Sequence, residues 1–160
     1  MHKITTSSEY TVYDSIEELP QDVHTLMQKA VAARKDAYAP YSKFRVGAAV
    51  LLDNGETVQG SNQENAAFPS GLCAERVAVF YAAAKFPQAK IIHIAISAAS
   101  DVNHTSSPTP PCGGCRQALV EYEVRQESPF ALYFMGETGI ICKSDSVQNL
   151  LPFTFDKNFL

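Results

Sequence analysis

Cys73-Ala74-Glu75-Arg76 puts a thiol, a carboxylate and a guanidinium within the length of one helical turn. A cysteine offers a soft metal ligand, a glutamate can move protons, and an arginine can balance surplus negative charge. A second cluster follows at Pro111-Cys112-Gly113-Gly114-Cys115. A C-x-x-C alone reads as half of a zinc site, as a redox pair, or as chance. Cys73 supplies a third thiol at another helix start, and two helix N-termini aimed at one point favour thiolates over thiols. Zinc on three protein ligands keeps a fourth position open to water, which then loses a proton near neutral pH.

Each of these residues also has a plainer role. Cys142 as a fourth ligand would close the site and make any metal structural, although a lone cysteine in an apolar strand usually serves as a small core residue. His93 sits in a strand and His104 in a polar loop, and both read as structural or solvated. A glutamate at a helix start favours the helix dipole. Two residues from a thiolate ligand, Glu75 can also take a proton from water and give one to a leaving amine. Three thiolates around a dication carry one surplus negative charge. Arg76, hydrogen-bonded to sulfur, would withdraw charge and restore acidity to bound water; a surface ion pair is the alternative. Spacing leaves the catalytic, structural and redox readings open.

The elements that must position these residues follow from pattern. A 3.6-residue period starts at Pro20, with Val23, Leu26, Met27, Ala30, Val31, Ala37 and Tyr38 on one stripe, and Pro40 ends it. Val46 to Leu52 is an apolar strand, Asp53-Asn54-Gly55-Glu56 a turn, and Thr57 to Gly60 the return strand. Ser61 to Gly71 is a loop. A second helix opens at Ser70 to Cys73 and runs to about Phe86, with Ala74, Val77, Ala78, Tyr81, Ala82 and Lys85 in period. Ile91 to Ala98 is a buried strand and Ser100 to Pro111 a loop. The C-x-x-C leads into a third helix with Ala118, Leu119 and Tyr122 inward. Phe130 to Met135 and Ile140 to Lys143 are strands, and Ser144 to Leu151 a short helix. A further short strand is placed near Glu9 to Tyr13. Helices alternating with β-rich segments indicate an α/β sandwich around one sheet, with no repeat and no dividing linker.

The chain has 160 residues, 46% of them apolar and 19% charged, with a net charge of −4. That is a globular domain large enough for a sizeable core. No lysine or arginine run supplies the electrostatic footprint of a nucleic-acid binder. The polar N-terminus lacks the apolar core of a signal peptide, and no stretch is long and apolar enough to span a bilayer, so a cytoplasmic protein with reduced cysteines is expected.

Cys73-Ala74-Glu75-Arg76 with Pro111-Cys112-Gly113-Gly114-Cys115-Arg116-Gln117 resembles the zinc motifs of the cytidine deaminase family, in its small, homotetrameric, all-cysteine type. Tyr41-Ser42-Lys43-Phe44-Arg45-Val46-Gly47-Ala48-Ala49 is similar to the family's N-terminal signature. Asn62-Gln63-Glu64-Asn65-Ala66 is similar to its nucleoside-binding loop, and Leu150-Leu151-Pro152-Phe153-Thr154-Phe155 to its C-terminal segment. The resemblance runs from about residue 20 to 155, in order.

It implies a three-layer α/β/α sandwich around one mixed five-stranded sheet, with residues 20–160 as a single deaminase domain behind an N-terminal extension, 1–19. It implies hydrolytic deamination of cytidine and 2′-deoxycytidine, with release of ammonia, in pyrimidine salvage. One zinc ion per subunit would sit on Cys73, Cys112 and Cys115. Hydroxide on the metal would attack C4 of the ring while Glu75 shuttles protons. Asn62 and Glu64 would hold the ribose 3′-hydroxyl, an argument for a free nucleoside, since a 3′-phosphate would meet like charge. Phe44 and Phe155 would touch base and sugar, Phe155 in a neighbouring subunit's pocket. Backbone groups of Ala66 and Ala74 would read the pyrimidine edge, and Arg76 would balance charge. The partners implied are a nucleoside and three further copies in a homotetramer with active sites at subunit interfaces, without nucleic acid or membrane.

The chain departs from the family at Phe68, often tyrosine, and at Gly114, commonly alanine. The 100–111 loop is long, and residues 1–19 lie before the usual start. A related deaminase acting on another aminated base, or a non-catalytic zinc-stabilised binding domain, are the other functions to weigh.

Overall fold

Residues 1–160 are described in a computed structural model. The elements are β1 (Thr11–Tyr13), α1 (Gln21–Lys35), β2 (Phe44–Leu52), β3 (Thr57–Ser61), α2 (Ala74–Lys85), β4 (Ile91–Ser100), α3 (Gly113–Gln126), β5 (Ala131–Met135) and β6 (Ile141–Ser144). The strands form one sheet in the order β1-β6-β5-β4-β2-β3. Only the β4–β5 pair is parallel. A parallel pair needs a long crossover, which the 101–112 loop and α3 provide.

Period-two alternation along the strands decides which helix packs on which face. Ala48, Val50 and Leu52 of β2, Ile94 and Ile96 of β4, and Leu132 and Phe134 of β5 face α2 and α3. Ala49, Ala95, Ala131 and Tyr133 face the other way, against Val23, Leu26, Met27 and Ala30 of α1. The result is the expected three-layer α/β/α sandwich around a mixed sheet. Burying both faces explains why β2, β4 and β5 read as nearly continuous apolar runs.

The sheet has six strands where five were expected. The sixth is β1, on the edge beside β6, within the stretch Glu9 to Tyr13 where a short strand was expected although the family resemblance implied five. Val12 is 52% exposed, so the strand carries almost no hydrophobic signal. Tyr13 packs on Tyr133, and polar bonds tie down the residues just before the strand: the Asn149 side chain accepts from Glu9 N at 3.1 Å and donates to Glu9 O at 2.8 Å, and Ser8 Oγ donates to Asn149 O at 2.7 Å.

The helix faces also differ in detail from the periodic reading. The inward face of α2 is Ala74, Glu75, Ala78, Val79 and Ala82. Tyr81, placed on the inner stripe by periodicity, is 55% exposed beside Phe80. Small residues face inward because α2 lies close on β3: a Cβ at Gly60 would stand 2.6 Å from Ala78 N and 2.7 Å from Ala74 O. In α3 the buried residues are Cys115, Leu119, Val120 and Glu123, with Ala118 and Tyr122 only half covered. α1 stops at Lys35, so Tyr38 lies beyond it and is exposed. The helix expected over Ser144 to Leu151 is a single 3-10 turn at Gln148–Leu150.

The 101–112 loop is fastened down. Thr105 O accepts from Glu137 N at 2.6 Å, and a Cβ at Gly136 would stand 2.4 Å from the same oxygen. Glycine is therefore needed where the β5–β6 turn meets this loop.

Glu123 is a buried carboxylate that no sequence pattern singles out. Its Oε1 accepts from Phe130 N at 3.2 Å and Val147 N at 2.7 Å, and its Oε2 from Gln148 N at 3.2 Å. Burial pushes its pKa up, and these amides oppose the shift. One side chain thus joins α3 to the entry of β5 and to the turn after β6. Glu123→Ala would strand three amides, and we expect a loss of about 2–4 kcal/mol in urea unfolding. A loss below about 0.5 kcal/mol would show that water replaces the carboxylate.

Candidate metal centre

Cys73 is the N-cap of α2 and Cys112 the N-cap of α3, and neither sulfur caps a backbone amide of its helix. Serine or aspartate at a cap usually spends its oxygen on a helix amide. Here the sulfurs leave those amides alone and converge. The Sγ atoms of Cys73, Cys112 and Cys115 all lie within 4.8 Å of one another. Cys73 and Cys112 are 3.9 Å apart. Cys115, in the first turn of α3, is completely buried. This trio of soft donors at two positive helix ends fits one thiophilic dication.

The electrostatics support that fit. Contact with the Cys115 sulfur lowers the Cys73 pKa most, and Arg76 and Cys112 add to it, reaching about 5. Cys115 is pushed up by the same contact, by burial and by Glu75. Three sulfurs this close cannot all ionise without a compensating cation. Arg76 Nη2 donates to Cys73 Sγ at 3.6 Å, and its Nε is buried without a partner. Glu75 is 4% exposed. Burial raises its pKa, and the negative Cys73 sulfur adds to the rise. A carboxyl so placed holds a proton more readily than a surface glutamate.

The remaining cysteine and the histidines stay outside the trio. Cys142 is half-buried against the α2/α3 side of the core, as expected of a strand cysteine. His93 packs edge-on to Tyr133, with ring centroids 5.7 Å apart, and its Nε2 lies 3.8 Å from Asp22. The His104 ring bonds Thr138 at 3.0 Å.

A cleft of about 560 Å³ opens beside the trio. Cys73, Arg76, Asn62, Glu64, Tyr41 and Phe68 are among the residues that line it. Glu64 is held by the first residues of the signature segment: its Oε2 accepts from Tyr41 N at 2.9 Å and Ser42 N at 3.2 Å. The Ser42 side chain, with these amides, holds its pKa down. Asn62 Oδ1 accepts from Val46 N at 2.8 Å, and Nδ2 donates to Phe44 O at 3.0 Å. One N–H and one lone pair remain free for a ligand. The Phe68 ring meets Tyr41 edge-on at 5.8 Å.

The sequence from 20 to 128 matches the cytidine and deoxycytidylate deaminase zinc-binding region. The chain belongs to that family. A cytidine deaminase of Halalkalibacterium halodurans is 42% identical over 134 residues, 84% of this chain and 94% of the relative. One from Sporosarcina psychrophila is 37% identical, covering 87% and 95%. A cytidine deaminase crystal structure from Burkholderia pseudomallei aligns with a TM-score of 0.72 at 36% identity, covering 82% of this chain and 98% of that one. The family region binds zinc, and the cysteine trio is the donor set that suits it.

Within this deaminase fold, the expected residues fall into two groups. Asn62, Glu64, Cys73 and Arg76 share the cleft. Glu75 and Ala74 are buried in the first turn of α2. Phe44 is half-buried at the start of β2, Ala66 is exposed, and none of these four lines the cleft. Phe155 does not line it either: it is 58% exposed on the tail, stacked on Phe159 with centroids 5.6 Å apart. Sequence reasoning passed over the amides of Tyr41 and Ser42, although both residues stand in the signature segment. If the trio is the donor set, Cys115→Ser should lose zinc during desalting while Cys142→Ser keeps one ion per chain by atomic absorption. Metal loss from Cys142→Ser would mark a closed four-cysteine site.

Proposed function

We propose that this chain hydrolyses cytidine and 2′-deoxycytidine to uridine and 2′-deoxyuridine, releasing ammonia. The observation that carries this reading is that Cys73 belongs at once to the sulfur trio and to the cleft walled by Asn62 and Glu64. A soft metal site with no nucleoside cleft, or a cleft with no metal site, would not support it.

Zinc on the trio would supply the Lewis acidity that makes water a nucleophile near neutral pH. The chain's own residues do the rest. Glu75, buried and raised in pKa, takes a proton from the attacking water and delivers one to N3 of the ring. It then takes the remaining proton of the new C4 hydroxyl and passes it to the amine as the C4–N bond breaks and the C4 carbonyl forms, so that water and cytidine become uridine and ammonia. Arg76 draws charge from the Cys73 sulfur and keeps the all-thiolate set acidic. Asn62 and Glu64 hold the 3′-hydroxyl, one able to donate and accept, the other to accept. Ala66 and Ala74 offer backbone groups to the pyrimidine edge, and Phe44 and Phe155 offer aromatic faces.

A homotetramer is part of this reading. The exposed Phe80, Tyr81 and Phe155 supply apolar surface for neighbouring copies, and a neighbour's Phe155 would complete the cleft. A monomeric mass in light scattering would remove that part. We place the activity in cytoplasmic pyrimidine salvage, in a domain formed by residues 20–160; no helix is long and apolar enough to cross a membrane.

Glu75→Gln should lower kcat by roughly 10²–10⁴-fold with zinc retained. Arg76→Gln should lower both kcat and zinc retention, the latter by about 10–100-fold. Full turnover in Glu75→Gln would sink the proton shuttle. Ammonia release across cytidine, deoxycytidine, cytosine, cytidine monophosphates, adenosine and single-stranded DNA should be confined to the first two. Preference for a phosphorylated or polymeric substrate would overturn the 3′-hydroxyl argument.

A further inference from the structure

Leu150 ends a 3-10 turn and residues 151–155 continue beside the start of α3 as irregular backbone, with Phe153 in the left-handed region at φ 57°. Inside the segment the only hydrogen bond is Thr154 Oγ1 to Leu151 O, at 2.7 Å. Its first residues close the preceding 3-10 turn through Leu150 N to Val147 O and Leu151 N to Gln148 O. All other hydrogen bonds that reach it come from two consecutive side chains at the start of α3. Arg116 Nη1 donates to Leu150 O at 2.9 Å, and Gln117 Nε2 donates to Phe155 O at 2.8 Å. These are the two ends of the segment. Arg116 also turns back on the cysteine loop: its Nε donates to Pro111 O at 2.9 Å, and its backbone N to Cys112 O at 2.9 Å.

We infer that Arg116 and Gln117 are positioning residues that clamp the 150–155 segment, and with it the backbone of Phe155, to the helix turn that carries Cys115. The inference rests on the deaminase reading above, in which Phe155 touches substrate. The physical reason is economy of freedom. A segment without secondary structure keeps its ends mobile unless something outside it satisfies their carbonyls. The Arg116 guanidinium bonds Pro111 O and Leu150 O at once, so it ties Leu150 to the cysteine loop. Gln117, on the next residue of the helix, fixes the far end. The ring of Phe155 is then steadied by its stack on Phe159, and Asp156 caps the final turn through Asn158 N. Whether the ring serves its own cleft or a neighbouring copy's, the distance from metal loop to aromatic contact is set by α3 and not by the tail. Neither side chain needs to touch substrate for this.

Gln117→Leu tests the clamp, because it removes the donor and keeps the bulk while leaving Arg116 and the cysteines alone. Hydrogen–deuterium exchange should show residues 151–156 exchanging at least about tenfold faster, with α3 and β5 unchanged, in both the zinc-loaded and the metal-stripped protein. In the loaded enzyme, KM for cytidine should rise about five- to tenfold, as expected for one lost hydrogen bond. kcat should stay within about twofold and zinc content at one per chain. Gln117→Lys, which restores a donor of similar reach, should recover both protection and KM. Unchanged exchange in Gln117→Leu, exchange that rises throughout α3, or a loss confined to kcat would each overturn the clamp. If the unmodified protein fails to deaminate cytidine, the functional reading falls, while the exchange comparison still decides the clamp.

Discussion

Everything in this molecule depends on bringing the N-termini of α2 and α3 to one point. The approach is expensive electrostatically, because it crowds three sulfurs and a carboxylate into one corner. Two positive helix ends and a guanidinium offset that crowding, and a bound dication would offset the rest. The fold sustains the approach by sterics. Gly60 lets α2 lie directly on β3, and the inward alanines of α2 leave no bulk to push it away. The β4–α3–β5 crossover then delivers the second helix to the same end of the sheet.

Once that corner exists, the cleft follows from local bonding. Asn62 is tied to the first residues of β2, and Glu64 to the two amides just before them. The loop after β3 and the connector before β2 are therefore one rigid wall. Polar side chains in that wall are already partly satisfied by backbone, which fixes their orientation and leaves a defined remainder for a ligand. A solvated loop of the same composition would have no such remainder.

Much of this was legible in the chain itself. Alternation and the helical period gave the layers, and the Asp53 to Glu56 turn gave the hairpin. The cysteine spacing pointed to a metal, because helix starts are recognisable and place their first residues predictably. What stayed hidden depends on partners distant in sequence. A short strand near β1 was readable, but not its anchor, the bonds of Ser8 and Glu9 to Asn149. The inner face of α2 is set by how closely β3 approaches, so Tyr81 fell on the wrong side. Glu123 looks like any surface glutamate of a helix until the amides of Phe130, Val147 and Gln148 are seen around it. The position of Phe155 depends on Gln117, which sequence alone shows only as a motif letter.

The bonds between Asn149 and Glu9 have a kinetic meaning as well. They join residues 140 positions apart, and contacts of such separation close late because so much chain entropy must be lost first. The opening strand emerges before any other, yet its partner β6 is the final strand of the sheet. During synthesis on the ribosome, residues 8–13 must therefore wait until nearly the whole domain is made. Sealing of that sheet edge therefore needs both ends of the domain, and it draws in the same turn that hands the chain on to the clamped tail.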